Sequence, residues 1–323
     1  MRPLVPALVL LAGFGATGAG AAEAQRFLVI GDLPYTAEQN HRLENTIAPA
    51  IKNAGHPFLI HLGDFKASSE ACTKDLFIER RDQMNALRPG RVFYTPGDND
   101  WTDCDRPWTG RPMSELGRLD LLRRLFFTAP PDPPADWAYS RQPSFPENAR
   151  WRLGGVVFAT VHVVGTNNGR NQILKDDIAA ALSLVAARDR ANRVWLAAAF
   201  AAADAAGART VVIATHADVT DVAAKEPCTA DIRRRCDGFA GFRSQLTRHA
   251  AAFGKPVLLV HGDTRPYCLD QGFGGTTAPG LWRLNAAGDD VDWTDATEIT
   301  VQPDGSFAIL TLVGRKQPRD GCD

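Results

Sequence analysis

Tyr94-Thr95-Pro96-Gly97-Asp98-Asn99-Asp100-Trp101 is the stretch that decides the fold. Ahead of it, Val92-Phe93-Tyr94 is an apolar run of strand type. Pro96-Gly97 stops the run, and three side chains able to hold a cation follow. The same design recurs in Phe27-Leu28-Val29-Ile30-Gly31-Asp32 and in Phe58-Leu59-Ile60-His61-Leu62-Gly63-Asp64. It returns in Val211-Val212-Ile213-Ala214-Thr215-His216 and in Val257-Leu258-Leu259-Val260-His261-Gly262-Asp263. A single Gly-Asp after a strand is an ordinary turn. Five apolar runs that each end in Asp or His read instead as ligands collected at the carboxyl edge of a sheet.

Working outward, the segments between these runs are helical. Thr36-Ala37-Glu38-Gln39 is a capping-box pattern, Leu43, Ile47 and Ile51 share one helical face, and Gly55 is a natural stop. Strand, helix and strand in succession imply a right-handed crossover between parallel strands. Further helices are expected over 75–87, ended by Pro89-Gly90, over the alanine-rich 176–206 with Trp195 and Phe200 as core anchors, and over 241–253. Residues 151–164 read as a strand pair turning at Gly154-Gly155. Residues 281–284 read as a strand, and 298–301 with 307–313 as a hairpin around Pro303-Asp304-Gly305. Alternating helices and strands followed by antiparallel pairs give a mixed α/β fold with helices on both faces. Residues 101–148 are rich in Pro, Trp and Arg outside a helix near 114–127. So long an excursion either covers a site, where it would select the substrate, or packs its tryptophans on the surface. His162, inside an apolar strand, reads as a core residue.

Composition narrows the classes. The chain has 323 residues, 45% of them hydrophobic, and a formal charge of −1. That is ample for a core and leaves no basic footprint for nucleic acid or an anionic membrane. Residues 1–24 read as a leader: Arg2, an apolar stretch from Leu4 to Phe14, and Ala22-Glu23-Ala24 as cleavage site. The mature chain, 25–323, is then one domain, secreted or periplasmic, with 101–148 as a loop-rich insertion. The apolar stretch is shorter than the ~20 residues of a membrane span, and nothing later is long enough. Six cysteines, an even number with no C-x-x-C, fit disulfides in an oxidising compartment. Spacing does not fix their pairing. The favoured arrangement joins Cys72 to Cys104, which both follow a ligand-bearing strand end, Cys228 to Cys236 around a short loop, and Cys268 to Cys322.

Carboxylates with imidazole and no thiolate suit Zn, Mn or Fe. In the order and spacing of its five strand ends, from Phe27 to about Tyr267, the chain resembles the calcineurin-like metallophosphoesterases, which include the purple acid phosphatases. Their pattern is D-x-H, G-D, G-N-H-D/E, a His, and G-H-x-H, set at strand ends of a four-layered α/β sandwich with mixed sheets. The resemblance implies one or two divalent ions per chain, and Asp32, Asp64, Asp98 and His216 as ligands, with Asp64 bridging. In the last motif it implies His261 or Asp263, two registers that the residues leave open. Pro34 stands where the first motif has its His. Asn99 stands where the third has the His that supports the phosphate or protonates the leaving group. Arg265 stands where the fifth has its second His. Asn99 can donate a hydrogen bond but cannot act as an acid near neutral pH. His261 is the rival acid. Arg265, and Lys66 two residues past Asp64, offer fixed positive charge to a phosphate oxygen or pair with the carboxylates.

The expected function is therefore an exported metal-dependent phosphoric ester hydrolase using metal-activated water on a small phosphoester. The alternative is a catalytically impaired relative that binds a phosphate-containing ligand or partner in the same cleft. A structural protein whose Asp-rich loops bind Ca²⁺ is disfavoured by the histidines.

Overall fold

Strands that are apolar on both faces need cover on both faces, and the chain supplies it by stacking two sheets between helices. The computed structural model describes residues 23–288 and 294–322. The expected leader, 1–24, lies outside them apart from Glu23 and Ala24. In chain order the strands are β1 (Gln25–Ile30), β2 (Leu59–His61), β3 (Val92–Tyr94), β4 (Ser140–Gln142), β5 (Phe145–Leu153), β6 (Val156–Thr160), β7 (Thr210–Ala214), β8 (Val257–His261), β9 (Cys268–Asp270), β10 (Leu281–Asn285), β11 (Thr297–Val301), β12 (Phe307–Thr311) and β13 (Arg319–Asp320). The helical segments are α1 (Ala37–Arg42), α2 (Ala48–Ala54), α3 (Lys74–Leu87), α4 (Glu115–Phe126), α5 (Gly165–Gly169), α6 (Ile178–Ala205) and α7 (Ala240–Phe253).

One sheet has the order β12-β11-β1-β2-β3, the other β13-β9-β10-β8-β7-β6-β5-β4. In each, the strands that end in candidate ligands are parallel neighbours. β1, β2 and β3 run together in the first sheet, and β6, β7, β8 and β10 in the second. Their carboxyl ends therefore gather along two facing edges. Alternate side chains divide the core. Phe27, Val29, Phe58, Ile60, Phe158, Val212, Leu258 and Val260 face the other sheet. Leu28, Ile30 and Leu59 pack under Leu43, Ile47, Ile51 and Phe77. Val211, Ile213, Val257 and Leu259 pack under Leu196, Phe200 and Leu246 of α6 and α7. The result is helix, sheet, sheet, helix, the four-layered α/β sandwich with mixed sheets.

Local signals act as expected. Thr36 Oγ1 caps α1 by accepting from Gln39 N at 3.1 Å, and Gln39 Oε1 accepts from Tyr35 N at 2.6 Å. Gly55 ends α2 with φ +66°. Between α1 and α2 the backbone takes a π-helical turn, Leu43–Ile47. Pro49 begins α2 without an N–H to give, and the wider turn absorbs it. The β11–β12 hairpin forms with Thr297 opposite Thr311. The excursion 101–148 is in large part structural: Trp101 and Trp137 are buried, while Trp108 is exposed.

The disulfides are Cys72–Cys104, Cys228–Cys236 and Cys268–Cys322, the favoured arrangement. The first ties the segment after β2 to the segment after β3. The bridges fit an oxidising compartment. Among the described residues no helix is long and apolar enough to cross a membrane.

Phe58 is the hub between the sheets, with ring centroids 5.0–5.6 Å from Phe158, Trp151, Phe27, Phe93 and Trp137. Phe58→Ala should cost about 3–5 kcal/mol, since an aromatic ring leaves a cavity that two packed sheets cannot close. Urea unfolding measures it, and a loss under about 1 kcal/mol would show that the core does not turn on this ring.

Candidate metal centre

Each candidate ligand leaves its strand through a backbone that turns at once. Asp32, Asp64 and Asp263 lie in the left-handed region, with φ of 56°, 53° and 72°. Asp tolerates this region better than most residues, at a cost of about 1 kcal/mol or more each, and such strain clusters at functional sites. Glycines make room for the carboxylates. A methyl group on Gly97 would land on Asp64 Oδ1, and one on Gly262 would land on Asp32 Oδ2.

The turns bring five of the expected ligands together in two overlapping groups, Asp32–Asp64–His216 and Asp98–His216–Asp263. Within each group the ligand atoms lie within 4.8 Å of one another. His216 is oriented as a ligand: Nδ1 donates to Leu62 O at 2.8 Å. That leaves Nε2 facing the carboxylates, 3.1 Å from Asp98 Oδ1, 3.5 Å from Asp64 Oδ1 and 3.6 Å from Asp263 Oδ1. A backbone carbonyl on the far nitrogen is the usual support of a metal-binding imidazole.

Charge decides what the cluster can do. Three carboxylates, Asp32, Asp64 and Asp98, are withdrawn from water around one imidazole, and Asp263 lies half-buried beside them. Burial lifts Asp64 well above the usual carboxylate range, and it raises Asp263 to about 6 with help from the Asp98 charge. Burial alone would depress His216, but Asp64, Asp263 and Asp98 outweigh it and hold the imidazole well above its ordinary value. Asp98 is pushed up by burial, yet its bond to His216 and the Thr166 hydroxyl bring it below the usual range. Buried carboxylates in such excess call for a cation. The donor set, oxygens with one oriented nitrogen, fits a divalent ion.

The remaining sequence candidates take other positions. Asn99 borders the cluster, with its N–H donating to Asp64 Oδ1 at 3.0 Å. Asp100 is a clamp: fully buried, it accepts from Asp64 N at 3.0 Å, Phe65 N at 3.1 Å, Gly97 N at 2.8 Å and the Tyr94 hydroxyl at 2.8 Å. Lys66 is also fully buried; it donates to Ala67 O at 2.9 Å, and although burial lowers its pKa, the charges of Asp100 and Asp64 act against that, so it sits beside the carboxylates. Arg265 is exposed. His261 lies outside both ligand groups. On β8 it shares the register of Val257 and Leu259, which face α6 and α7, and its Nδ1 meets Gly262 O at 2.8 Å. Of the two registers, the structure gathers Asp263.

Three participants escaped the sequence reading. The Tyr35 hydroxyl donates to Asp64 Oδ2 at 2.8 Å and lies 3.4 Å from Asp32 Oδ1. Gln39, in the cap of α1, pins the Tyr35 backbone. Thr166 Oγ1 lies 3.0 Å from Asp98 Oδ2 and 2.9 Å from Asp103 Oδ1. It belongs to α5, in which Thr166, Asn167 and Asn168 are all left-handed. Asp218 braces the loop that carries Asp263: it accepts from Thr264 Oγ1 at 2.9 Å, Thr220 N at 2.8 Å and Arg283 Nη1 at 3.1 Å.

With this geometry in view, the chain is similar in structure to PhoD, at TM-score 0.50 and 12% identity, over 90% of this chain and 68% of PhoD. It also aligns with GAP50, described as the anchor in the inner membrane complex of Plasmodium, at TM-score 0.47 and 11% identity over 91% of this chain and 86% of that one. No protein-family model and no curated protein matches the sequence. The likeness to PhoD supports the sandwich fold.

Asp218 makes a pH-dependent brace. Burial would raise its pKa, but the charges of His261 and Arg283 and the Thr220 bonds bring it down to about 2, below the unfolded value of ~3.9. Its stabilisation is therefore complete above pH ~4 and lost as pH falls through about 2. Asp218→Asn should lower stability by roughly 2 kcal/mol near pH 7, with the gap narrowing by about half near pH ~3. A gap that stays constant in urea titrations across that range would refute the assignment.

Proposed function

We propose that the chain is an exported metal-dependent phosphoesterase that hydrolyses a small phosphoester. The observation that carries this reading is the pair of interleaved groups sharing His216, buried, over-rich in carboxylate and set at facing strand ends. The PhoD-like fold and the three disulfides support it.

In this reading Asp32, Asp64, Asp98, His216 and Asp263 hold one or two divalent ions, with Asp64 between the two groups. Bound there, such an ion polarises a phosphoryl oxygen and lowers the pKa of water. The Tyr35 hydroxyl orients Asp64 from one side and the Asn99 N–H from the other. Thr166 holds Asp98 toward His216. Asn99 donates a hydrogen bond to the phosphoester through its amide without giving up a proton. Arg265, two residues past Asp263, supplies fixed positive charge to a phosphoryl oxygen.

A second reading, that of a binding relative with impaired catalysis, is favoured by one observation. Asn99 takes the acid's place, and His261, the other candidate acid, faces the helix layer.

Two variants and a substrate series test the proposal. Asp64→Asn should lose bound metal and hydrolysis together while keeping its circular dichroism. Wild type should cleave activated aryl esters far faster than alkyl ones, because general acid help contributes ~10²–10⁴-fold and none is placed here. His261→Ala should leave that dependence unchanged; a flat wild-type series made steep by His261→Ala would make His261 the acid. Metal and phosphate binding without turnover of any monoester, diester or nucleotide would decide for the second reading.

A further inference from the structure

The loop closed by Cys228–Cys236 carries Arg233, Arg234 and Arg235 in succession. Arg234 and Arg235 are exposed and Arg233 is half-buried. Among the described residues none of the three has a carboxylate at ion-pairing distance, whereas neighbouring Arg170 and Arg243 are paired with Asp189 and Asp237. A run of arginines on a mobile loop is usually only solvated charge. This loop is braced at its neck, at its inner turn and at Arg233. Its neck is closed by the disulfide and by Cys228 N to Asp237 O at 3.3 Å and Asp237 N to Glu226 O at 2.7 Å. Its interior turns on Thr229, with Thr229 N donating to Ile232 O at 2.9 Å and Ile232 N to Thr229 Oγ1 at 3.0 Å. Arg170 Nη1 then fixes the Arg233 carbonyl at 3.2 Å. The backbone that presents the charges is ordered before any ligand arrives.

The loop is also linked to the candidate metal centre through two consecutive residues of α5. Asn167 clasps it from α5, with Nδ2 donating to Cys236 O at 2.8 Å and Oδ1 accepting from Gly238 N at 2.8 Å. The preceding residue, Thr166, is the one whose hydroxyl meets Asp98 Oδ2. The unusual left-handed winding of α5 lets consecutive side chains reach in two directions, Thr166 to the carboxylates and Asn167 to the loop.

We propose that this arginine loop is a second anion subsite, and that the substrate carries another phosphate beyond the one held at the carboxylate–imidazole cluster. The reading of the cluster as a phosphoester site is the one given above, and the loop names the substrate class. Guanidinium groups bind phosphate oxygens through paired hydrogen bonds, and their cost is lowered by a backbone already in place. A substrate with one phosphate leaves the loop unused; a nucleoside polyphosphate or another compound with linked phosphates engages both sites.

Inorganic tripolyphosphate and orthophosphate are the probes, titrated calorimetrically into metal-loaded wild type and into Arg233→Gln/Arg234→Gln/Arg235→Gln. The substitutions remove the charge and the guanidinium fork and keep a polar side chain at each position. Tripolyphosphate affinity should fall at least about tenfold in the variant and lose part of its salt dependence, while orthophosphate affinity and metal content stay within about twofold. Equal tripolyphosphate affinity in the two proteins, or no binding by wild type, overturns the proposal. An equal fall for both probes overturns it as well, since that is a general field effect. Hydrolysis is read separately. Loop-dependent binding in a protein that hydrolyses nothing upholds the subsite and removes the phosphoesterase reading.

Discussion

Everything at the carboxyl edge of the two sheets follows from one electrostatic constraint. Asp32, Asp64, Asp98 and Asp263 are gathered around His216 in two overlapping groups, largely out of water, and like charges so placed repel strongly unless a cation lies among them. The fold accepts unfavourable features to achieve this. Three of these residues have left-handed backbones, and glycines 97 and 262 stand where any side chain would collide with a carboxylate. Asp100 spends its whole acceptor capacity on the loops after β2 and β3. The Cys72–Cys104 bridge then ties the same two segments covalently. None of these features is needed to cover a hydrophobic core. They fix the direction of charged side chains.

What was legible in the sequence was whatever a local pattern encodes. An apolar run ending in Asp or His marks both a strand and the side chain at its carboxyl end, and so Asp32, Asp64, Asp98 and His216, with His261 or Asp263, could be named in advance as candidates. The cap at Thr36, the stop at Gly55 and the Asp-Gly hairpin are equally local. The choice between His261 and Asp263 was not legible for a specific reason. β8 is apolar at every position before His261, because both its faces are covered, and an unbroken apolar run does not reveal which alternate residues face which layer. Only the packed structure shows that Val257 and Leu259, whose register His261 shares, face the helices.

Tyr35, Thr166 and Asp218 were hidden differently. Each acts on a group distant in sequence: Tyr35 on Asp64, Thr166 on Asp98, Asp218 on Thr264. A supporting residue of this kind follows no spacing rule. Its partner is set by the sandwich topology, which brings the loop after β6 against the loop after β3. The signal for Tyr35 was present but indirect, since the cap residue Gln39 holds its backbone. For Thr166 there was none: three successive left-handed residues without glycine among them are not a pattern that sequence propensities anticipate.

Two of the departures from the metallophosphoesterase pattern share a chemical direction. Where that pattern places an imidazole at the first position of its last motif, this chain has Asp263; where it places an amide in the third, this chain has Asp98. Both changes trade a neutral donor for an anionic oxygen. His216 remains as the nitrogen in both ligand groups. A set dominated by carboxylates narrows the advantage of softer ions such as Zn²⁺ over harder ones such as Mn²⁺, because oxygen donors discriminate less in favour of the softer metal. It also makes protons stronger competitors: Asp263, raised to about 6 by burial beside Asp98, must lose its proton before it can bind a cation. Of the imidazole positions in that pattern, only the one at Asp263 carries a carboxylate here, and proton release from Asp263 joins that from His216 in any cation binding by the cluster.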